Sequence, residues 1–167
     1  YLIGGVVKAG GSALCLVETI YVTEYVTLFS LCDSPADVAH MAEVFAMIAK
    51  SGIDVDMISQ LPISGSCSGF SFTVSDDDFI SVLSIVSELR SRNPKTKISV
   101  SSGNCKLTVS GEAMRGTPGV SARVFKAAAS VGADVRMITT SEIEIALLVV
   151  KSDVDTVIDA INKEFVE

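Results

Sequence analysis

The run Thr117-Pro118-Gly119-Val120-Ser121 carries the residue types of an anion-binding helix start. Proline has no N–H to lose at a helix entrance, and glycine lets another group come close to the backbone. Val120, Val124, Phe125 and Ala128 then recur at helical spacing, which leaves the first-turn amides facing outward. Bare N–H groups at the positive end of a helix dipole favour a carboxylate or a phosphate. The strand-like run that follows carries Asp134 and Glu142, whose carboxylates suit an ammonium group. The chemistry implied is the holding of a small zwitterion.

Other arrangements that suggest chemistry do not complete it. Gly5 and Gly10 are spaced as in a phosphate-binding loop, but Gly11 stands where that loop needs its lysine, so residues 1 to 12 read as a lead-in. His40, the only histidine, has no cysteine, serine or carboxylate at a triad or metal spacing and reads as a partly exposed helix residue. Asp76, Asp77 and Asp78 read as the acidic start of a helix rather than a metal site. Cys15, Cys32, Cys67 and Cys105 are widely spaced, without C-x-x-C pairs, and are expected as free thiols of a reducing cytosol. Met41, Met47, Met57 and Met137 fit core packing. No catalytic residue, metal site or cofactor is expected in this segment.

The elements that position these groups can be read from composition and period. With 167 residues, 49% of them hydrophobic, the chain can build one ordinary domain or two small ones. A formal charge of −7 with scattered basic residues leaves no field for nucleic acid or an anionic membrane. No run reaches the roughly 20 apolar residues of a membrane span. The chain opens at Tyr1, which is expected of an excised or processed segment.

Leu14 to Leu31 reads as two strands with a break near Thr23 and Glu24. Val38, Met41, Val44, Phe45 and Ile48 form one helical face, and Gly52 ends it. Asp54 to Gln60 and Phe70 to Val74 read as strands around a loop from Leu61 to Gly69. A helix runs from Phe79 to Leu89, and Lys95 to Val100 is a further strand. Ser101-Ser102-Gly103-Asn104 reads as a turn between domains. Beyond it, Leu107 to Ser110, Gly119 to Ala129, Asp134 to Ser141, Ile143 to Val150 and Val154 to Phe165 repeat the order strand, helix, strand, strand, helix.

The repeat keeps one offset of 80 residues: Val44-Phe45 falls on Val124-Phe125, Gly52 on Gly132, Val55 on Val135 and Met57-Ile58 on Met137-Ile138. The order suits a four-stranded antiparallel sheet with two helices on one face. The second copy is one strand short, and the segment from Leu14 to Val22 is expected to cross over and complete it.

The run Met114 to Phe125, followed by Asp134 to Ile143, resembles the regulatory region of the aspartate kinase family, which carries two ACT domains. It departs at Gly116 and Thr117, where the family pattern has Ser-His, and at Arg136, where it has Glu. The resemblance covers about residues 25 to 166 and implies an α+β fold of two tandem ferredoxin-like (βαββαβ) ACT domains. The implied division is 1–24 as lead-in and completing strand, 25–102 as the first ACT domain and 103–167 as the second.

The resemblance also implies the function. Aspartate kinase transfers the γ-phosphoryl group of ATP to the aspartate side chain, and this region is expected to bind lysine or threonine at ACT interfaces and inhibit that transfer allosterically. Effector contacts are expected at Asp33, Val38, Ala39, Met41, Asp54 and Gln60 in the first unit. In the second they are expected at Thr117, Gly119, Val120, Ser121, Asp134, Val135, Ser141 and Glu142. Gln60, whose amide both donates and accepts, is the foremost single contact. The first helix start has Val38-Ala39 in place of Pro118-Gly119, with Asp33, Pro35 and Asp37 crowding its entrance, so its site is expected to be altered. A kinase domain N-terminal to Tyr1, which would hold ATP and Mg²⁺, a homodimer formed through the ACT domains and a cytoplasmic location complete the expectation. The alternative is a free-standing tandem-ACT amino-acid-binding regulator.

Overall fold

The structure, a computed structural model, describes residues 7–8, 16–34, 37–61 and 69–166. Among the described residues seven strands and four α-helices follow one another: β1 (Val7–Lys8), β2 (Thr19–Cys32), α1 (Val38–Lys50), β3 (Ile58–Leu61), β4 (Gly69–Ser75), α2 (Phe79–Arg92), β5 (Lys97–Ser110), α3 (Val120–Ser130), β6 (Val135–Thr140), β7 (Glu144–Val150) and α4 (Val154–Val166). Apart from β1, the glycine-rich lead-in read over residues 1 to 12 lies outside the described residues, as does the loop read between Leu61 and Gly69.

Two compact units result. One is Tyr25–Gly103; the other joins the described residues of Tyr1–Glu24 to Asn104–Glu167. Both β2 and β5 therefore contribute a half to each unit. In the first unit the hydrogen-bonded order is β3-β4-β2-β5, and in the second it is β2-β5-β7-β6, with β1 beside β2. The segment ahead of β2 is tied to the second unit by the Glu18 N–H, which donates to the Ser110 carbonyl at 2.8 Å.

Each core follows from periodicity. In the first unit the alternate residues Phe70, Phe72 and Val74 of β4, with Phe29 and Leu31 of β2, meet Val44 and Ile48 of α1 and Val82, Val86 and Leu89 of α2. In the second, Cys105, Leu107 and Val109 of β5 and Ile145, Leu147 and Val149 of β7 meet Val120, Val124, Ala127 and Ala128 of α3 and Val157 and Ile161 of α4. Alternate strand residues share one face, so both helices of a unit cover the same side of its sheet. Each fully buried Leu or Phe contributes about 1.5–3 kcal/mol relative to exposure.

Three local expectations are corrected. The break read near Thr23 and Glu24 is absent, because β2 runs unbroken from Thr19 to Cys32 and only Tyr25 turns left-handed, at φ 61°. The turn read at Ser101 to Asn104 is strand: β5 continues to Ser110, Asn104 pairs with Val150, and Gly103 takes φ 68°. Small polar residues suggested a turn, and sheet pairing overrides that propensity. The strand read from Asp54 begins only at Ile58; just ahead of it the Asp56 N–H donates to the Thr73 carbonyl of β4 and the Met57 N–H to the Thr73 hydroxyl, an irregular approach to that strand.

The acidic run also does more than start a helix. Ser75 caps a 3₁₀ turn over Asp76–Asp78, while Asp76 accepts a hydrogen bond from the Thr27 hydroxyl at 2.5 Å and from the Gly103 N–H at 3.2 Å. It thus ties β2 to β5 within the first unit.

Candidate functional site

The two helix starts are built differently. In α3, Gly119 takes φ 90° as the N-cap and offers no side chain, so the first amides of the helix have no side-chain cap. A Cβ at Gly119 would meet nothing within 4 Å, which leaves the approach to these amides open. Val120 anchors this turn in the core at 5% exposure, while Ser121 is exposed beside it. The Thr117 hydroxyl donates back to the Ala113 carbonyl at 2.8 Å and tightens the loop ahead of the helix.

Across from this loop lies the β6–β7 turn. The Ser141 N–H donates to the Glu144 carbonyl at 2.8 Å, and the Gly111 N–H donates to the Ile143 carbonyl at 3.0 Å. The Glu142 carboxylate is ion-paired to Arg115. The structure therefore brings Ser141 and Glu142 to the loop that feeds α3, with Arg115 already neutralising the acid.

Asp134 is not part of that cluster. It follows the C-terminal end of α3, about 15 Å along the helix from its start. There its backbone N–H donates to Asp153 at 2.9 Å and its carboxylate pairs with Arg136 at 2.6 Å. The neighbouring Val135 is half-buried against the core. The expectation that Asp134 and Glu142 act on one ammonium group is corrected: the strand between them spans the length of the sheet.

In the first unit the helix mouth is occupied from within. Asp37 caps α1, its carboxylate accepting the His40 N–H at 2.9 Å. Asp33, left-handed at φ 53°, pairs with Lys97 at 2.8 Å. His40 has a partner the sequence did not disclose, Ser34, whose Oγ lies 3.3 Å from Nε2, and its ring stands edge-on to Phe70. Val38 is 78% exposed and Ala39 exposed, whereas Met41 packs against the core.

Gln60 lies on β3, opposite Phe70, which in turn pairs with Leu31. Partners across a register point to one face, so Gln60 stands on the helix-covered side at the uncovered edge strand, next to the ring that His40 touches. The structure thus gathers Gln60, His40, Asp37 and Asp33 at one end of the first unit. Asp54, beyond the end of α1, stands apart.

Sequence reasoning missed Lys97 and Arg115, the cations that hold Asp33 and Glu142. Arg115 lies within the run Met114 to Phe125 and could have been weighed; Lys97 has no local signal. It also missed the link between α3 and α4, where Arg123 Nε donates to Glu164 at 3.1 Å, Lys126 reaches the same carboxylate at 3.4 Å, and the guanidinium lies 4.2 Å over the Phe165 ring. The Arg123 hydrogen bond is the largest influence lowering the Glu164 pKa below its ordinary value, and partial burial opposes it. Among the described residues no group of three or more His, Cys, Asp and Glu could hold a metal ion, and no helix is long and apolar enough to cross a membrane.

A sheet covered on one side by two helices, with an uncapped helix start near a turn that carries serine and glutamate, is the frame of the second unit. Residues 107–165, within the second unit, match the ACT domain family.

As a whole the chain is similar to the regulatory region of aspartate kinase. The regulatory subunit of aspartate kinase from Thermus thermophilus, in its ligand-free form, superposes with a TM-score of 0.79 at 27% identity, covering 90% of this chain and 99% of that one. Aspartate kinase from Synechocystis superposes at 0.81 and 27% identity, over 96% of this chain but 29% of its own. The aspartokinase of Bacillus sp. (strain MGA3) is 27% identical over 140 residues, which are 84% of this chain and 33% of the relative. The chain therefore spans about a third of the curated relatives' length.

Proposed function

We propose that this chain is the amino-acid-sensing region of an aspartate kinase, built as two tandem ferredoxin-like ACT domains that bind lysine or threonine and restrain phosphorylation of aspartate. The observation that carries this reading is the match to a whole regulatory subunit, that of Thermus thermophilus, over nearly all of both chains. The uncapped start of α3, with Glu142 across from it, supplies the amides and the acid that a zwitterion needs.

Effector control follows from differential binding: an amino acid shifts the arrangement of units only by as much as it prefers one arrangement over another. Homodimerisation through the ACT domains is part of the proposal, since edge strands such as β3 and β6 offer unpaired backbone groups. The catalytic part, with its ATP and Mg²⁺, lies N-terminal to Tyr1 in this proposal, in the cytoplasm; the chain described here needs no cofactor of its own.

Calorimetric titration of the folded chain with lysine and with threonine tests the reading. Saturable heat with either, weakened by Gly119→Val at the helix start, supports it. A folded sample that binds neither amino acid refutes it.

A further inference from the structure

The chain passes between its two units twice, from Glu24 to Tyr25 on β2 and from Gly103 to Asn104 on β5. Both crossings fall on left-handed backbone, Tyr25 at φ 61° and Gly103 at φ 68°. Glycine adopts that conformation freely, but a tyrosine in it is uncommon and strained. Backbone held against its preference in this way clusters at clamps and switch regions.

The flanking ladders stop at the same two places. β4 pairs with β2 as far as Val26, opposite Ser75, and β7 pairs with β5 as far as Asn104, opposite Val150. Each strand also changes the core it serves there. Ile20 and Val22 of β2 pack in the second unit, Phe29 and Leu31 in the first; Ile98 and Val100 of β5 pack in the first, Cys105, Leu107 and Val109 in the second. Tyr25 is 57% exposed and belongs to neither core, and Ser102 and Gly103 are exposed as well. A short segment with few buried contacts opens more easily than the cores that flank it.

Equivalent residues of the two units steady the crossings. Asp76 and Lys151 each follow directly on the last residue of a strand, β4 and β7, ahead of α2 and α4. Within the first unit the Asp76 carboxylate accepts the Gly103 N–H at 3.2 Å and the Thr27 hydroxyl at 2.5 Å, so it grips one joint directly and the other strand two residues past its own joint. Within the second unit Lys151 lies 3.7 Å from Glu24, the residue before Tyr25. The bonds to Asp76 are charge-assisted and short, whereas the Lys151 pair is part-exposed and weak.

We propose that Tyr25 and Gly103 form a paired hinge, with Asp76 as its main clamp and Lys151 as a lesser one. Bending there changes backbone dihedrals at these residues and leaves the ladders and core of each unit intact. A change in either unit reaches the other along the chain through this pair, whatever causes the change, so the hinge stands independently of the lysine or threonine reading.

Residual dipolar couplings of the ¹⁵N-labelled chain in two alignment media, with amide hydrogen exchange in low urea, test the hinge. The two units are expected to need separate alignment tensors of different magnitude, because a bending joint averages each unit by itself. Exchange of the Gly103 amide is expected to be independent of urea, as local opening is, while the Phe29 and Leu107 amides exchange faster as urea rises. Asp76→Asn, which keeps the shape and removes the charge, is expected to widen the difference between the tensors and to speed Gly103 exchange about tenfold. Lys151→Met is expected to do the same to a smaller extent. One tensor fitting both units in the wild type and in Asp76→Asn, or Gly103 exchange rising with urea in step with Phe29 and Leu107, would each overturn the proposal. Lower stability of Asp76→Asn with the wild-type tensors unchanged would make Asp76 a structural tie and overturn its part as a clamp.

Discussion

Asp37 accepts the backbone N–H of His40 at 2.9 Å and so fills the mouth of α1 with a carboxylate of its own chain. At the N-cap of α3, Gly119 has no side chain to do the same. One repeat thus carries its anion internally, and the other leaves that place without a side chain.

Removing that internal anion should cost stability. Asp37→Ala is expected to destabilise the first unit by about 1 kcal/mol, as loss of a helix cap does. Urea denaturation measures it, and an unchanged midpoint would mean that water caps the helix equally well.

Asp76 should matter more than its place in a polar run suggests. It holds Thr27 and Gly103 together with charge-assisted bonds, and Asp76→Ala is expected to cost roughly 1.5–3 kcal/mol. Asp77→Ala, whose carboxylate is exposed, serves as the comparison and should change stability by less than about 0.5 kcal/mol.

Arg115 competes with any ammonium group for Glu142. If the start of α3 holds the effector, Arg115→Ala should tighten binding several-fold, since an exposed ion pair is worth about 0.2–1 kcal/mol. Calorimetry with lysine or threonine reads the change; weaker binding would place Arg115 on the ligand's carboxylate instead.

The Arg123–Glu164 link gives stability a pH dependence of known sign. Because the folded Glu164 pKa is lowered, chiefly by its hydrogen bond from Arg123, its stabilising contribution is present above the ordinary glutamate value and is lost as pH falls through the lowered one. Denaturation midpoints of the wild type should therefore fall more steeply on acidification than those of Glu164→Gln. Parallel curves would show that the carboxylate titrates alike folded and unfolded.

What sequence alone determined here was everything carried by short-range pattern. The four helices announced themselves through faces such as Val120, Val124 and Ala128, although Phe125, read on the same face, is exposed, and the 80-residue offset that aligns Gly52 with Gly132 exposed the duplication. Pro118-Gly119 marked an open helix start, because the missing side chain is itself a sequence feature.

Tertiary structure decided what depends on residues far apart in the chain. It ran β2 and β5 straight through the places where polar residues suggested a break or a turn, since pairing with neighbouring strands outweighs local propensity. It separated Asp134 from Glu142 and set Arg115 and Lys97 against the acids expected to be free. Helical period and glycine placement are properties of a few consecutive residues; ion pairs arise only when folding brings distant ones within a few ångströms.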